Sequence, residues 1–165
     1  MLYFAYGSNL SVPRLKARIP GAQFIGTGCL AQHQFRYHKK GKDGSAKADA
    51  LFTGRDTDQI MGVIYRISPP DRPILSAIED EGIGYESKSV LISGEDGAQV
   101  EAFTYVALHI DRSLLPFDWY HQHVLFGAKR AGFHEGYLEF LCSLQCQIDQ
   151  DDSRRAKEQS IYNRR

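Results

Sequence analysis

Apolar and polar positions alternate along this chain in short blocks with two different periods. Leu2-Tyr3-Phe4-Ala5-Tyr6 is continuously apolar and aromatic, which predicts a buried strand. Gly7-Ser8-Asn9 stops it with turn-forming residues. A helix then opens at Ser11-Val12-Pro13-Arg14-Leu15, capped by Ser11 or Asn9, with Pro13 in its first turn. Ile19-Pro20-Gly21 ends it. Residues 23–37 read as one long strand or two, bent near Gly26 and Gly28. Lys39 to Ser45 reads as a solvated polar loop, and residues 48–53 as a weak strand. Gln59 to Ile67 is β-branched and mostly apolar, which predicts a central strand.

Ser68-Pro69-Pro70-Asp71 breaks that strand and opens a helix over residues 72–80, with Ile74, Leu75 and Ile78 on its core face. Residues 85–92 and 99–108 predict a hairpin around Gly94-Glu95-Asp96-Gly97. Lys88, Val90 and Ile92 alternate on one arm, Val100, Ala102 and Thr104 on the other. Two helices follow. One covers residues 118–130 and stops at Gly132; the other covers 134–147, with Leu138, Leu141 and Leu144 as its stripe. Residues 149–165 form a polar, charged tail, expected to fray.

Strands interrupted by helices, without strict alternation, predict one α+β domain over residues 1–148, built on a mixed, mostly antiparallel sheet. An apolar share of 42% is that of a globular chain. The formal net charge is zero, which gives no support for nucleic acid or an anionic membrane as partner. No apolar run approaches the roughly 20 residues that span a bilayer, and the N-terminus lacks the pattern of a secretion signal. A cytoplasmic protein is therefore expected. Cys29, Cys142 and Cys146 make no disulfide framework; the last two, four residues apart on one helix face, read as half-buried core thiols.

Two stretches carry candidate chemistry. A strand, a small-residue turn and a helix in succession bring free backbone N–H groups to one point, which suits an anion or a developing oxyanion. Glu79-Asp80-Glu81 crowds three carboxylates at a helix C-terminus, where the dipole and the like charges both disfavour ionisation. A carboxyl raised in this way suits general acid/base work; a solvated acidic turn is the plainer reading. His121 and His123 fall on different faces of one helix and make a poor metal pair. Phosphate-loop, dinucleotide and nucleophile-elbow motifs are missing, so no metal and no cofactor is expected.

Several features together resemble the gamma-glutamylcyclotransferase-like family over roughly Leu2 to Tyr137. They are Tyr6-Gly7-Ser8-Asn9-Leu10, Gly62-Val63-Ile64-Tyr65, Glu81-Gly82, Tyr85, Tyr105, Tyr120 and Gly127-Ala128-Lys129 with Gly132. The resemblance implies a small, mostly antiparallel β-barrel with surrounding helices. It implies ring closure of a γ-glutamyl amide to 5-oxoproline, releasing an amine or amino acid. Glu81 would be the catalytic carboxylate, because it directly precedes Gly82; Glu79 and Asp80 are its rivals. Tyr6, Gly7, Ser8, Asn9 and Leu10 would bind substrate, with Tyr85, Tyr105 and Tyr120 as pocket walls. The chain departs from the family in carrying Ala77-Ile78 where members often have Leu-Asp. That departure keeps a non-catalytic small-molecule or protein binding module on the same fold as the alternative. A small γ-glutamyl substrate, and a monomer or weak homodimer, are expected.

Overall fold

Five strands close on themselves in the computed structural model, which describes residues 1–163. They are β1 (Leu2–Ala5), β2 (Gln23–Ala31), β5 (Gln59–Arg66), β6 (Tyr85–Gly94) and β7 (Gln99–Ala107), in the order β1-β5-β2-β6-β7. β5 is central, antiparallel to β1 through Phe4↔Ile64 and to β2 through Gly28↔Gly62. β7 returns to β1 in parallel at Tyr3↔Phe103, and this one parallel seam makes the barrel mixed. The closing seams are short: β2 meets β6 at Gly28↔Gly94 and Cys29↔Ser93, and β7 meets β1 at the single pair just named. β3 (His33–Lys40) and β4 (Ala46–Phe52) form a separate antiparallel pair.

The hairpin alternation follows the sequence. Val90 faces Ala102 and Ile92 faces Val100 across the ladder, and Ile92, Ala102 and Thr104 are buried. Phe4, Leu15, Ile60, Ile67 and Leu75 are fully buried with them. Each such side chain contributes about 1.5–3 kcal/mol on leaving water. No helix of the described residues is long and apolar enough to cross a membrane.

Of the two readings open for residues 23–37, the two-strand one holds: the stretch bulges at Phe24/Gly26, near the glycines, and breaks at Gln32. Gln32 adopts a φ of 60° because its backbone is held on both sides, donating to Asp58 and accepting from Thr53 and Gly54. Four expectations are corrected. Helix α2 (Asp71–Ile78) buries only Leu75, while Ile74 and Ile78 are exposed. After α1 (Val12–Arg18) and α3 (Asp118–Arg130), helix α4 (Glu135–Ser143) stops short of the expected residue 147. Gln147 exchanges backbone hydrogen bonds with Pro116 and Asp118, which draws the chain out straight. Cys146 is therefore off the helix, and both it and Cys142 are exposed.

The tail is the fourth. Residues 152–159 form α5 (Asp152–Gln159), capped by Asp151, which accepts from the Arg154 amide at 2.9 Å. Asp149, 1% exposed, anchors it by accepting from Trp119 Nε1 at 2.7 Å and from two nitrogens of Arg154. Glu158 meets buried Arg14, and Tyr162 donates to Ser11 Oγ at 2.9 Å. Arg164-Arg165, read as part of the charged tail, lies outside the described residues.

Candidate active site

The turn after β1 is shaped by two close approaches. A Cβ on Gly7 would lie 2.9 Å from Ala48 Cβ and 3.3 Å from the Tyr120 hydroxyl. A Cβ on Gly127 would lie 2.3 Å from the Leu10 carbonyl carbon and 2.5 Å from Ser11 N. Glycine at both positions lets β4 and α3 press directly on the turn. Ser8–Leu10 forms one 3₁₀ turn, and Ser11 then caps α1 by accepting from the Arg14 amide at 3.4 Å. The first N–H groups of such a turn have no partner within it. Among the described residues the amides of Gly7, Ser8 and Asn9 find no acceptor elsewhere in the chain.

A cavity of about 290 Å³, its mouth included, lies against this turn. Tyr6, Gly7, Ser8 and Asn9 line it together with Tyr85, Tyr105 and Tyr120, all named from the sequence. Leu10 does not line it; it is 1% exposed, in the core beneath α3. Tyr3, Ala48 and Glu79 complete the wall. Nothing in the sequence marks Tyr3, an ordinary strand residue there, or Ala48, on the weakest predicted strand, as lining a site.

The carboxylate in this cavity belongs to Glu79. Asn9 Nδ2 donates to Glu79 Oε1 at 2.9 Å and to the Tyr3 hydroxyl at 3.0 Å. Arg18 donates to Asn9 Oδ1 at 3.0 Å and stands 3.6 Å from Glu79. Asn9 thus fixes an acid from the far end of α2 to the turn after β1.

Glu81 is placed elsewhere. It forms a two-pronged pair with Arg72, at 3.0 and 3.3 Å, and is absent from the cavity wall. Hydrogen bonds from Ser76, Arg72 and Ser87 outweigh its slight burial and hold its carboxyl low, at about 2. The expected upward shift from the acidic run is thus reversed at Glu81. The backbone explains which acid faces the cavity. Glu79 is four residues after Leu75, the one buried residue of α2, and so shares its inward face. Asp80 then takes a φ of 55° and turns the chain, which sends Glu81 the other way. Arg72 also donates to the Tyr105 hydroxyl, so Glu81 supports a pocket wall from behind.

The tyrosines act as neutral phenols. Burial pushes Tyr3, Tyr6 and Tyr85 well up, and Tyr105 and Tyr120 up as well. Tyr6 donates to the Tyr105 carbonyl, and Tyr85 to the Ala48 carbonyl at 2.7 Å. The Ala48 amide donates to the Tyr120 hydroxyl at 3.1 Å. Among the described residues no three His, Cys, Asp or Glu side chains cluster as metal ligands. His121 meets the Tyr37 hydroxyl at 2.9 Å, and His123 meets Arg14 and Tyr162.

Known proteins resemble this chain in sequence and in fold. The AIG2-like family pattern matches residues 59–141. A gamma-glutamylcyclotransferase of Mus musculus is 28% identical over 153 residues, covering 87% of this chain and 78% of the relative. That of Homo sapiens is 26% identical over 150 residues with the same coverage. A solved structure of a gamma-glutamyl cyclotransferase superposes with a TM-score of 0.85 over 99% of both chains, at 20% identity, which establishes the shared fold.

Proposed function

The chain belongs to the AIG2-like family, gamma-glutamylcyclotransferase-like in fold, and on that premise we propose that it cyclises γ-glutamyl amides. The substrate's own α-amine attacks its γ-carbonyl. The new C–N bond closes a five-membered ring, the old amide C–N bond breaks, and 5-oxoproline leaves with a free amine. Holding the substrate in its attacking conformation supplies much of the barrier reduction, up to roughly 7–11 kcal/mol in favourable cases.

Glu79, in place of Glu81, takes the proton from the α-ammonium and returns it to the departing nitrogen, so one group serves as base and then acid. The amides of Gly7, Ser8 and Asn9 receive the negative oxygen that develops on the γ-carbonyl. One such donor is worth about 2.7–4 kcal/mol in other enzymes. Tyr6, Tyr85, Tyr105 and Tyr120 wall the γ-glutamyl chain. The observation that carries this reading is the 2.9 Å hydrogen bond from Asn9 to Glu79, which ties the acid to the turn that bears the donors.

The test is 5-oxoproline release from a panel of γ-glutamyl dipeptides and amines. Glu79→Gln is expected to lower kcat by about 10²–10⁴-fold. Glu81→Gln should retain activity within a few-fold. Full activity in Glu79→Gln, or no 5-oxoproline from any panel member, defeats the reading.

A further inference from the structure

Beyond Glu79 the cavity continues into a second chamber of about 700 Å³, open to solvent, with Ser8, Glu79, Tyr85 and Tyr120 common to both. Its remaining wall is strongly basic. Four of its five cations are already matched by carboxylates: Arg14 by Glu158, Arg18 by Glu79, Lys42 by Asp80 at 2.9 Å and Lys47 by Asp43 at 2.6 Å.

Lys39 is the exception. It is 6% exposed, and among the described residues no carboxylate lies within ion-pair distance of its Nζ. Where the sequence predicts a solvated loop from Lys39 onward, the residue lies on β3, with Nζ 4.7 Å from the centre of the Tyr85 ring. A ring face only partly replaces water around an ammonium. Burying a cation without a contacting anion is costly, and burial pulls the Lys39 amine down from its ordinary value even against the more distant charges of Glu79 and Asp80. A buried, unmatched ammonium beside the acid that protonates the leaving nitrogen is suited to an anion that arrives with the substrate.

We infer that Lys39 is a specificity-determining residue that binds an anionic group on the leaving half of the substrate, a carboxylate or a phosphate. This rests on the cyclotransferase reading and narrows it. The released amine carries its own negative charge, and γ-glutamyl alkylamines and polyamines are poor substrates.

Two substrate pairs test this. γ-Glutamyl-alanine differs from γ-glutamyl-alaninamide only in the carboxylate, and γ-glutamyl-phosphoethanolamine differs from γ-glutamyl-ethanolamine only in the phosphate. The wild-type protein should prefer the anionic member of at least one pair by about 10- to 100-fold in kcat/KM, the size expected of one charged hydrogen bond. The pair that shows the preference identifies the anion. Lys39→Met should erase it by slowing only the anionic member, and Lys39→Arg should restore most of it. Equal loss on both members would make Lys39 a brace for Tyr85 and overturn the inference, as would no preference in either pair or a best rate with γ-glutamyl-putrescine.

Calorimetric binding of γ-glutamyl-alanine and its amide to wild type and Lys39→Met separates the two readings. Charge-dependent binding lost in Lys39→Met, without any 5-oxoproline, would uphold the anion receptor while the cyclotransferase reading falls. Turnover without charge preference would do the reverse.

Discussion

Gly127→Ala tests whether α3 sets the position of the substrate turn. The added Cβ would meet the Leu10 carbonyl carbon at 2.3 Å, Leu10 Cβ at 2.4 Å and Ser11 N at 2.5 Å. Carbon atoms prefer separations near 3.5–4.0 Å, so helix or turn must move by roughly 1 Å. None of the three atoms is the far end of a flexible side chain, so the strain falls on backbone. Overpacking of this kind costs about 1–3 kcal/mol, and the better helix propensity of Ala offsets about 0.8–1 kcal/mol. A net loss of up to about 2 kcal/mol corresponds to a Tm lower by up to roughly 8 °C for a chain of this size. The displaced turn should also carry Asn9 away from Glu79, so kcat for 5-oxoproline release falls more than stability alone explains. Gly136→Ala is the control. Its Cβ would touch only the His134 ring, at 3.6 Å, and it should be neutral or mildly stabilising. Thermal melts and turnover of both variants decide the matter. If Gly127→Ala melts and turns over like Gly136→Ala, the packing account of the turn is wrong.

Further outcomes follow from the same contacts. Asn9→Ala strips a partner from Tyr3, Glu79 and Arg18 at once; a urea titration should show about 1–3 kcal/mol lost, and turnover should fall with it. Asp149→Ala leaves Trp119 Nε1 and Arg154 without their acceptor, and limited proteolysis should then cut the chain near α5 while the barrel stays intact. Acid should loosen the same tail. Burial holds His123 low, at about 4; burial raises Glu158, but His123 and Arg14 outweigh it and hold it at about 2. Both folded values lie below the unfolded ones, so the unfolded chain binds more protons. This stabilisation is complete above about pH 6.5 and lost as pH falls, through His123 first and Glu158 below about 4.5. Tail protection from proteolysis measured from pH 7 to pH 4 should decline, and in His123→Gln the decline should be confined to the lower part of that range.

Much of the fold was legible because its signals are local. Period-two alternation in residues 85–108 and the β-branched run at 59–67 specify strands whichever partners they find. Gly7-Ser8-Asn9 after an aromatic strand marked the turn for the same reason. Other features depended on partners distant in the chain. Ile74 and Ile78 fit a helix face as well as Leu75 does, yet only Leu75 meets the core. The tail has a polar composition, and its order comes from Asp149, Arg14 and Ser11, residues that no window of the tail contains.

The candidate site divides along the same line. The barrel strands, the turn after β1 and the acidic run at the end of α2 can be read along the chain, because each is written in neighbouring residues. Which acid faces the turn emerges only on folding. Within Glu79-Asp80-Glu81 the chemistry is nearly uniform, and the choice depends on a backbone reversal at Asp80 and on where Leu75 is buried. The charge on Lys39 was visible from the start, but its burial against Tyr85 without an ion-pair partner among the described residues arises only when β3, α2 and β6 converge around it.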